Sequence, residues 1–292
     1  MQHNASVETG QNNHDHGSPI GNEGLFLSHS VLGTFVFCLG LWWWIQSVRR
    51  RLSASRRPLG KYAADVSYNS PCCPNQIGEG LAKMSMCIIG MGVEAATVGM
   101  GRNHEYAHFP FYAAMLIASL VDILQSTILF LPDGSDYMCH VLPFVFQAYC
   151  LRAQAYDQPH VTATCRLISS YLGVLVAASM MAEMCVRSHF LFTWIKCFMV
   201  MLTGWWTWQM GIMLNPPKGQ PWDENSHDNV MYVAIVNAWQ MFGVAVIQLI
   251  ILLIIAKFHG VSADWNVQQQ GNIGDRDNIQ YTKLLNDENS DE

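Results

Sequence analysis

Polar side chains interrupt several long apolar blocks of this sequence. Glu94 and Asp122 each lie inside such a block, and Lys196 and Gln209 lie inside a later one. An ionisable residue within a hydrocarbon layer is costly, which makes it a candidate for function by default. Carboxylates at this depth suit the binding of protons or cations, whereas amides commonly join neighbouring helices through hydrogen bonds.

Three histidines begin or adjoin apolar blocks, namely His29, His108 and His227. Imidazoles ligate zinc and similar divalent ions, and they also titrate near neutral pH. The pattern therefore leaves two chemistries open beside Glu94, a divalent metal site and a proton relay. The simpler alternative is that these histidines only mark the headgroup boundary, in which case no cofactor is expected.

Simpler structural roles are also open for the other buried charges. Lys83 and Lys196 lie within reach of an interface to which long lysine side chains can extend. Glu183 and Arg187 are four residues apart, a spacing that predicts a local ion pair. For Asp122 the alternative is a hydrogen bond to a Ser or Gln on a neighbouring helix.

The elements that would position these residues are membrane-spanning helices. Of the 292 residues, 51% are hydrophobic and only 13% are charged, compared with about 25% charged in soluble domains. A helix crosses a bilayer with roughly 20 mostly apolar residues. The blocks therefore predict an all-α integral membrane protein, a bundle of seven transmembrane helices. They cover residues 25–48, 81–98, 110–131, 140–156, 167–186, 190–214 and 230–258.

Basic residues give the orientation. Six Lys or Arg residues lie between positions 49 and 61, and the positive-inside rule places this loop in the cytosol. The chain then divides into a disordered lumenal N-terminus (1–24), the seven-helix domain (25–258) and a disordered, acidic cytosolic tail (259–292). Tryptophans near the ends of the blocks, such as Trp43, Trp44 and Trp206, are predicted to form aromatic belts.

Both predicted terminal segments contain short motifs. Asn4 begins an Asn-Ala-Ser sequon and is a glycosylation candidate if it is lumenal. Tyr281 and Leu284 form a Tyr-x-x-Leu pattern like the signals that sorting adaptors bind in cytosolic tails. If the tail is cytosolic, this pattern predicts recognition by such adaptors.

Three stretches resemble the transmembrane protein 45 family, seven-helix membrane proteins without an assigned reaction. The stretches are SHSVLGTFVFCLGLWWW (28–44), HFPFYAAMLIASLVDIL (108–124) and GWWTWQMGIMLNPPKGQPWDENSHDN (204–229). The resemblance implies Golgi, endosomal or lysosomal membranes and supplies no substrate. The positions that recur in the family are His29, His108, Asp122, Gln209, Trp222, Asp223 and His227.

The chain departs from that family in its fourth and seventh helices. Members of the family carry a Glu and a His-x-His pair along the fourth helix and a Trp-His in the seventh. This sequence instead has Gln147, Gln154, Tyr156 and Trp239-Gln240 there. Glutamine hydrogen-bonds but is a poor ligand for a divalent ion and a poor proton carrier. The resemblance thus implies that any metal or acid–base centre of the family is lost or altered here.

These observations favour a multispan protein of the secretory or endolysosomal system, or of the plasma membrane, that acts in trafficking or as an adaptor without enzymatic activity. Its expected partners are the lipid bilayer, sorting adaptors and a second copy of the chain. One alternative is a proton- or cation-coupled transporter that uses Glu94 and Asp122, and another is a metal-dependent intramembrane hydrolase. The absence of a basic cluster interleaved with aromatic residues argues against nucleic acid as a partner.

Overall fold

Each apolar block of the sequence forms one helix in the structure. The computed structural model describes residues 19–56, 61–70, 76–98, 108–127, 131–216 and 222–259. The helices within these ranges are α1 (Pro19–Ser55), α2 (Ile77–Val98), α3 (Phe109–Thr127), α4 (Ser135–Gln154), α5 (His160–Cys185), α6 (Phe190–Leu214) and α7 (His227–Phe258). Over the described residues the prediction of an all-α chain with seven helices is confirmed, although α1, α4 and α5 begin several residues earlier than predicted.

Five of these helices are long and apolar enough to cross a membrane, namely α1, α3, α5, α6 and α7. The two that fall short, α2 and α4, carry titratable side chains inside the bundle. Glu79, Lys83 and Glu94 lie on α2, and Asp136 and His140 lie on α4. All five of these side chains are buried among the other helices. Seven spans and the orientation of the termini stay predictions.

Glycines let α1 and α6 approach until their backbones touch. A Cβ atom on Gly204 would lie 2.3 Å from the backbone nitrogen of Phe37, and one on Gly33 would lie 2.7 Å from that of Trp208. Gly40 and Gly211, each seven residues further along its helix, make similar close approaches. Small residues along a seam of this kind drive helix association in membranes, since lipid tails compete equally for apolar side chains.

The connection between α1 and α2 does not simply run through solvent. Its residues 61–70 pack across one end of the bundle, and we call them the plug. The Ala64 N–H donates to the Arg187 carbonyl over 2.8 Å, and the hydroxyls of Tyr62 and Thr193 lie 2.8 Å apart. Tyr62 and Tyr68 are both 5% exposed. Burial raises the pKa of both phenols, so each is a neutral hydrogen-bonding partner.

The prediction of aromatic belts is wrong for three tryptophans. Trp43, Trp44 and Trp206 are fully buried. The Trp44 indole donates to the Gln248 carbonyl over 3.1 Å, and the Trp206 indole donates to the Cys165 carbonyl over 3.3 Å. These rings join helices within the core, because a buried indole N–H needs an acceptor and finds one across a helix interface.

Candidate functional site

Four charged or titratable side chains from three helices meet beneath the plug. Glu79 and Lys83 come from α2, Asp122 from α3 and His140 from α4. We call this set the lysine network. Glu79 and Lys83 lie one turn apart on the same face of α2, where Glu79 meets α1 and the plug and Lys83 meets α3 and α4. Each of the four is at most 5% exposed.

The Lys83 ammonium lies at the centre of this network. It is 2.7 Å from Glu79 Oε1 and 2.9 Å from Asp122 Oδ2. It also lies 2.9 Å from His140 Nε2, and it donates to Ser67 Oγ of the plug over 3.1 Å. An ammonium has three hydrogens, so all of its donor capacity is used within the protein.

Glu79 accepts hydrogen bonds on both carboxylate oxygens. Besides Lys83, Oε1 accepts from the Trp43 indole over 2.9 Å. Oε2 accepts from the Trp42 indole over 2.9 Å and from the Tyr68 backbone N–H over 2.7 Å. These hydrogen bonds tie α1, α2 and the plug to one side chain.

The hydrogen bonds of His140 indicate its tautomer. Its Nδ1 lies 2.8 Å from the Asp136 carbonyl oxygen, which only accepts, so Nδ1 carries the hydrogen. Nε2 then accepts from Lys83 and lies 3.4 Å from Asp122 Oδ2. The free lone pair of a neutral imidazole in this orientation lies on Nε2, the atom that faces the two charges.

A second buried ion pair also lies beside Trp43. Lys196 of α6 is 2.5 Å from Glu183 of α5, and its ammonium also donates to the Asp65 carbonyl of the plug over 2.9 Å. The ammonium of Lys196 lies 5.2 Å from the centre of the Trp43 ring, and that of Lys83 lies 5.5 Å from it. Trp43 therefore contacts both cations through its π-system.

These contacts correct three predictions from the sequence. Lys83 and Lys196 do not extend to an interface, because they are 2% and 0% exposed and are paired inside the bundle. Glu183 pairs with Lys196 rather than with Arg187, whose guanidinium lies over the Tyr137 ring at 4.8 Å. Asp122 forms an ion pair, whereas the simpler reading expected a hydrogen bond to Ser or Gln.

A groove of about 600 Å³ runs between α1 and α2 and ends at the lysine network. Its walls are mostly apolar side chains of the two helices, with Trp42, Glu79 and Lys83 at one end and Ser30 and Ile89 toward the other. Twelve residues of α1 separate Ser30 from Trp42, which corresponds to roughly 18 Å of helix. Volumes of about 300–1,000 Å³ are typical of sites for small molecules.

A second polar cluster occupies the other end of the bundle, and we call it the histidine group. It contains His29 of α1, Glu94 of α2, His108 at the start of α3 and Gln147 of α4. The rings of His29 and His108 meet edge to face, 4.8 Å between centroids. Glu94 Oε1 accepts from the His108 backbone N–H, and Gln147 Nε2 lies near His108 Nδ1, both at 2.9 Å.

The structure thus brings together part of the predicted site. His29, Glu94 and His108 meet, whereas Asp122 lies in the lysine network and His227 is exposed at the start of α7. Gln209 is half-buried on α6. No group of three His, Cys, Asp or Glu residues within the described ranges could hold a metal ion. Three further candidates lie outside the described residues, namely Asn4, Tyr281 and Leu284.

Sequence reasoning missed Glu79 and His140 as site residues. Glu79 precedes Lys83 by four residues, and this spacing predicts an ion pair on one helix face. His140 carried no comparable local signal, because its partners lie on α2 and α3. Only the packing of three helices reveals that it faces a lysine.

One comparison with known proteins bears on these residues. The model of a family of unknown function (DUF716) matches residues 134–253, from the residue before α4 to near the end of α7. That family contains the transmembrane protein 45 proteins. The match covers less than half of the chain, and the family description names no reaction and no ligand. It includes His140, Glu183 and Lys196 and lies C-terminal to Lys83, Glu94 and Asp122.

Proposed function

We propose that this chain is a seven-span membrane protein, related to the transmembrane protein 45 proteins, that binds an uncharged lipid between α1 and α2. The observation that carries the proposal is the apolar groove that ends at the lysine network. Spans by α2 and α4 are supported by their lengths of 22 and 20 residues, which match the roughly 20 residues that a helix needs to cross a bilayer.

The charge balance within the groove argues for an uncharged ligand. Both oxygens of Glu79 and all three hydrogens of Lys83 already have partners in the protein. A charged headgroup would have to displace one of these bonds, and an unpaired buried charge costs several kcal/mol (about 3–5). An acyl chain or sterol ring needs only the apolar walls.

The groove offers the ligand few polar groups. Ser30 Oγ is buried and has no hydrogen-bond partner among the described residues. It lines the groove together with Thr34. One hydroxyl or carbonyl of a ligand would satisfy it, since an unmade buried hydrogen bond costs about 1–3 kcal/mol. A long-chain alcohol or a sterol has this chemistry.

Photo-crosslinking tests the proposal. The purified full chain in nanodiscs is irradiated with diazirine derivatives of a long-chain alcohol and of a sterol, and the adducts are mapped by mass spectrometry. We expect adducts concentrated in α1 and α2 that an unlabelled competitor removes. Ala82→Trp, which fills the groove, should abolish them, whereas Ile117→Trp on the outer face of α3 should not.

A native cysteine gives an independent readout. Cys38 lines the groove and is exposed, and Cys185 is exposed away from it. A bound ligand should slow the reaction of Cys38 with a membrane-permeant maleimide and leave Cys185 unchanged. Adducts spread evenly over all helices, with no protection of Cys38, would indicate ordinary bilayer lipid and reject the proposal.

A trafficking or adaptor role in Golgi, endosomal or lysosomal membranes is the second candidate, supported by the Tyr281–Leu284 pattern and the resemblance. Tyr281→Ala should then move the protein toward the cell surface, as measured by surface biotinylation. Gln280→Ala, immediately before the motif, is the matched control. An unchanged distribution of the Tyr281→Ala variant would remove the sorting role.

A further inference from the structure

Glu94 differs from the other fully buried carboxylates of this protein. Glu79 and Asp122 each lie within 2.9 Å of Lys83, and Glu183 lies 2.5 Å from Lys196. Glu94 is 1% exposed, and within the described part of the chain it forms no ion pair with a Lys or Arg. An isolated carboxylate is expensive to bury, and such a group commonly becomes neutral by taking a proton.

The contacts of Glu94 make both of its charge states accessible. One oxygen, Oε1, accepts from the His108 backbone N–H over 2.9 Å, and the carboxyl also bonds to the Phe109 backbone N–H. These amides form the N-terminus of α3, whose dipole favours a negative charge. The other oxygen, Oε2, is buried and has no hydrogen-bond partner in the described residues. Deep burial favours the protonated form of the Glu94 carboxyl, whereas the N-terminus of α3 favours the ionised form.

Neighbouring side chains offer further unused donors and acceptors. Within the described ranges, no partner is found for Nε2 of His108, the hydroxyl of Tyr112 or Oε1 of Gln147. These side chains are 2%, 1% and 7% exposed. The Tyr112 ring lies where a side chain on Gly90 would be, one turn of α2 before Glu94. Four unpartnered polar atoms thus lie in one small region, whereas the lysine network leaves only Asp122 Oδ1 without a partner.

Titratable groups reach this region from several helices. His29 comes from α1, and His108 and Tyr112 come from α3. The positive charge of Arg166 on α5 acts on His108 from further away. Apart from Glu94 itself, α2 places Thr97 in this region and α4 places Gln147 there, and both of these side chains are uncharged. Among the described residues Glu94 is the acidic member of this set, and His29 and His108 contribute its two imidazoles.

We propose that Glu94 is a proton-binding site at the end of the bundle opposite the plug. Its carboxyl takes up and releases one proton at Oε2 while Oε1 stays bonded to the start of α3, and the side chains of His108 and His29 belong to the same polar cluster. Glu94 does not line the groove, but it follows Ile89, at the near end of the groove, by five residues or about 7.5 Å along α2. A group of this kind is what a proton-coupled carrier requires, and here it would be Glu94 and not Asp122.

Infrared difference spectroscopy tests the proposal without a reagent that must enter the site. Spectra of the full chain in nanodiscs are recorded between about pH 6 and pH 9, a range in which exposed carboxyls stay ionised. We expect a carboxylic acid C=O band that disappears as pH rises and shifts in D₂O. Glu94→Gln should remove this band, because the amide keeps an acceptor for the α3 N–H groups and cannot ionise. Asp122→Asn, the control in the lysine network, should leave it intact.

Isotope labelling keeps the test valid if Glu94→Gln does not fold. Side-chain carboxyl ¹³C-glutamate shifts every Glu band and leaves every Asp band unchanged. A pH-dependent acid band that survives Glu94→Gln, or that does not shift with the glutamate label, would overturn the proposal. So would the suppression of the protonated band by sodium at constant pH, because the site would then bind a cation.

Discussion

Charge neutralisation within the bundle determines what each buried polar residue can do. Lys83 and Lys196 are fully enclosed, and each bonds to a carboxylate of a neighbouring turn or helix and to the plug. A lysine that extends to an interface tolerates replacement, since its charge is already solvated. A lysine that neutralises buried carboxylates does not, since its loss leaves them unpaired.

The first prediction concerns Lys83. Lys83→Met should lower the free energy of unfolding by about 3–5 kcal/mol, because Glu79 and Asp122 become uncompensated buried charges. Thermal unfolding in detergent can be followed with a fluorogenic maleimide that reacts with buried Cys87, Cys165 and Cys197 as they become exposed. Lys257→Met, at an exposed position near the end of α7, is the matched control. Equal melting temperatures for the two variants would contradict the ion-paired geometry.

The two carboxylates of the lysine network should differ in their tolerance of amides. Asp122→Asn leaves Lys83 paired with Glu79, so we expect a loss of about 1 kcal/mol or less. Glu79→Gln should cost more, about 2–4 kcal/mol, because an amide NH₂ would face the donors of Trp42, Trp43 or Tyr68. The same unfolding assay ranks the two variants, and the reverse order would show that Glu79 does not organise the network.

At the scale of the elements, glycines set how closely α1 and α6 pack. Gly204→Ala introduces a Cβ 2.3 Å from a backbone nitrogen of α1, which no side-chain rotation can relieve. We expect a loss of about 1–3 kcal/mol from overpacking, despite the higher helix propensity of alanine. Gly92→Ala on α2 is the control, because nothing lies within 4 Å of its added Cβ. If both variants unfold at the same temperature, α1 and α6 are further apart than described.

The packing of the plug against the helices is a second feature at this scale, and the hydropathy of the sequence does not predict it. Residues 61–70 lie between a basic segment and α2 and read as a polar loop. They are ordered against the bundle because buried donors and acceptors on α1, α2 and α6 need partners. Ser47, Lys83 and Lys196 each bond to this segment.

At the scale of the whole molecule, the end of the bundle that carries the plug and the end that carries the histidine group should face opposite sides of the membrane. Cysteine labelling with an impermeant reagent tests this on Ser55→Cys at the end of α1 and Asn225→Cys between α6 and α7. With the basic loop in the cytosol, position 225 should react in sealed cells and position 55 only after permeabilisation. Both positions reacting from the same side would reject a seven-span topology.

The sequence alone determined the class of this protein and the number of its helices. Apolar blocks of membrane length, with charges confined to a few positions, require helices because the backbone must satisfy its own hydrogen bonds in lipid. It also identified Glu94, Asp122 and Lys196 as unusual, since charge within an apolar block is visible without any packing. The seven blocks and the seven helices of the described residues agree to within seven residues at each end, the largest differences being at the end of α1 (48 against 55) and the start of α5 (167 against 160).

Only the tertiary structure decided which of these residues belong together. Asp122 and Glu94 looked equivalent in the sequence, yet one meets a lysine and the other meets the start of a helix. The groove and the plug likewise depend on how α1 lies against α2 and α6. Periodicity gives the face of a helix to which a residue belongs. The partner on that face depends on the packing of helices distant in sequence, and that partner determines whether a buried charge is neutralised.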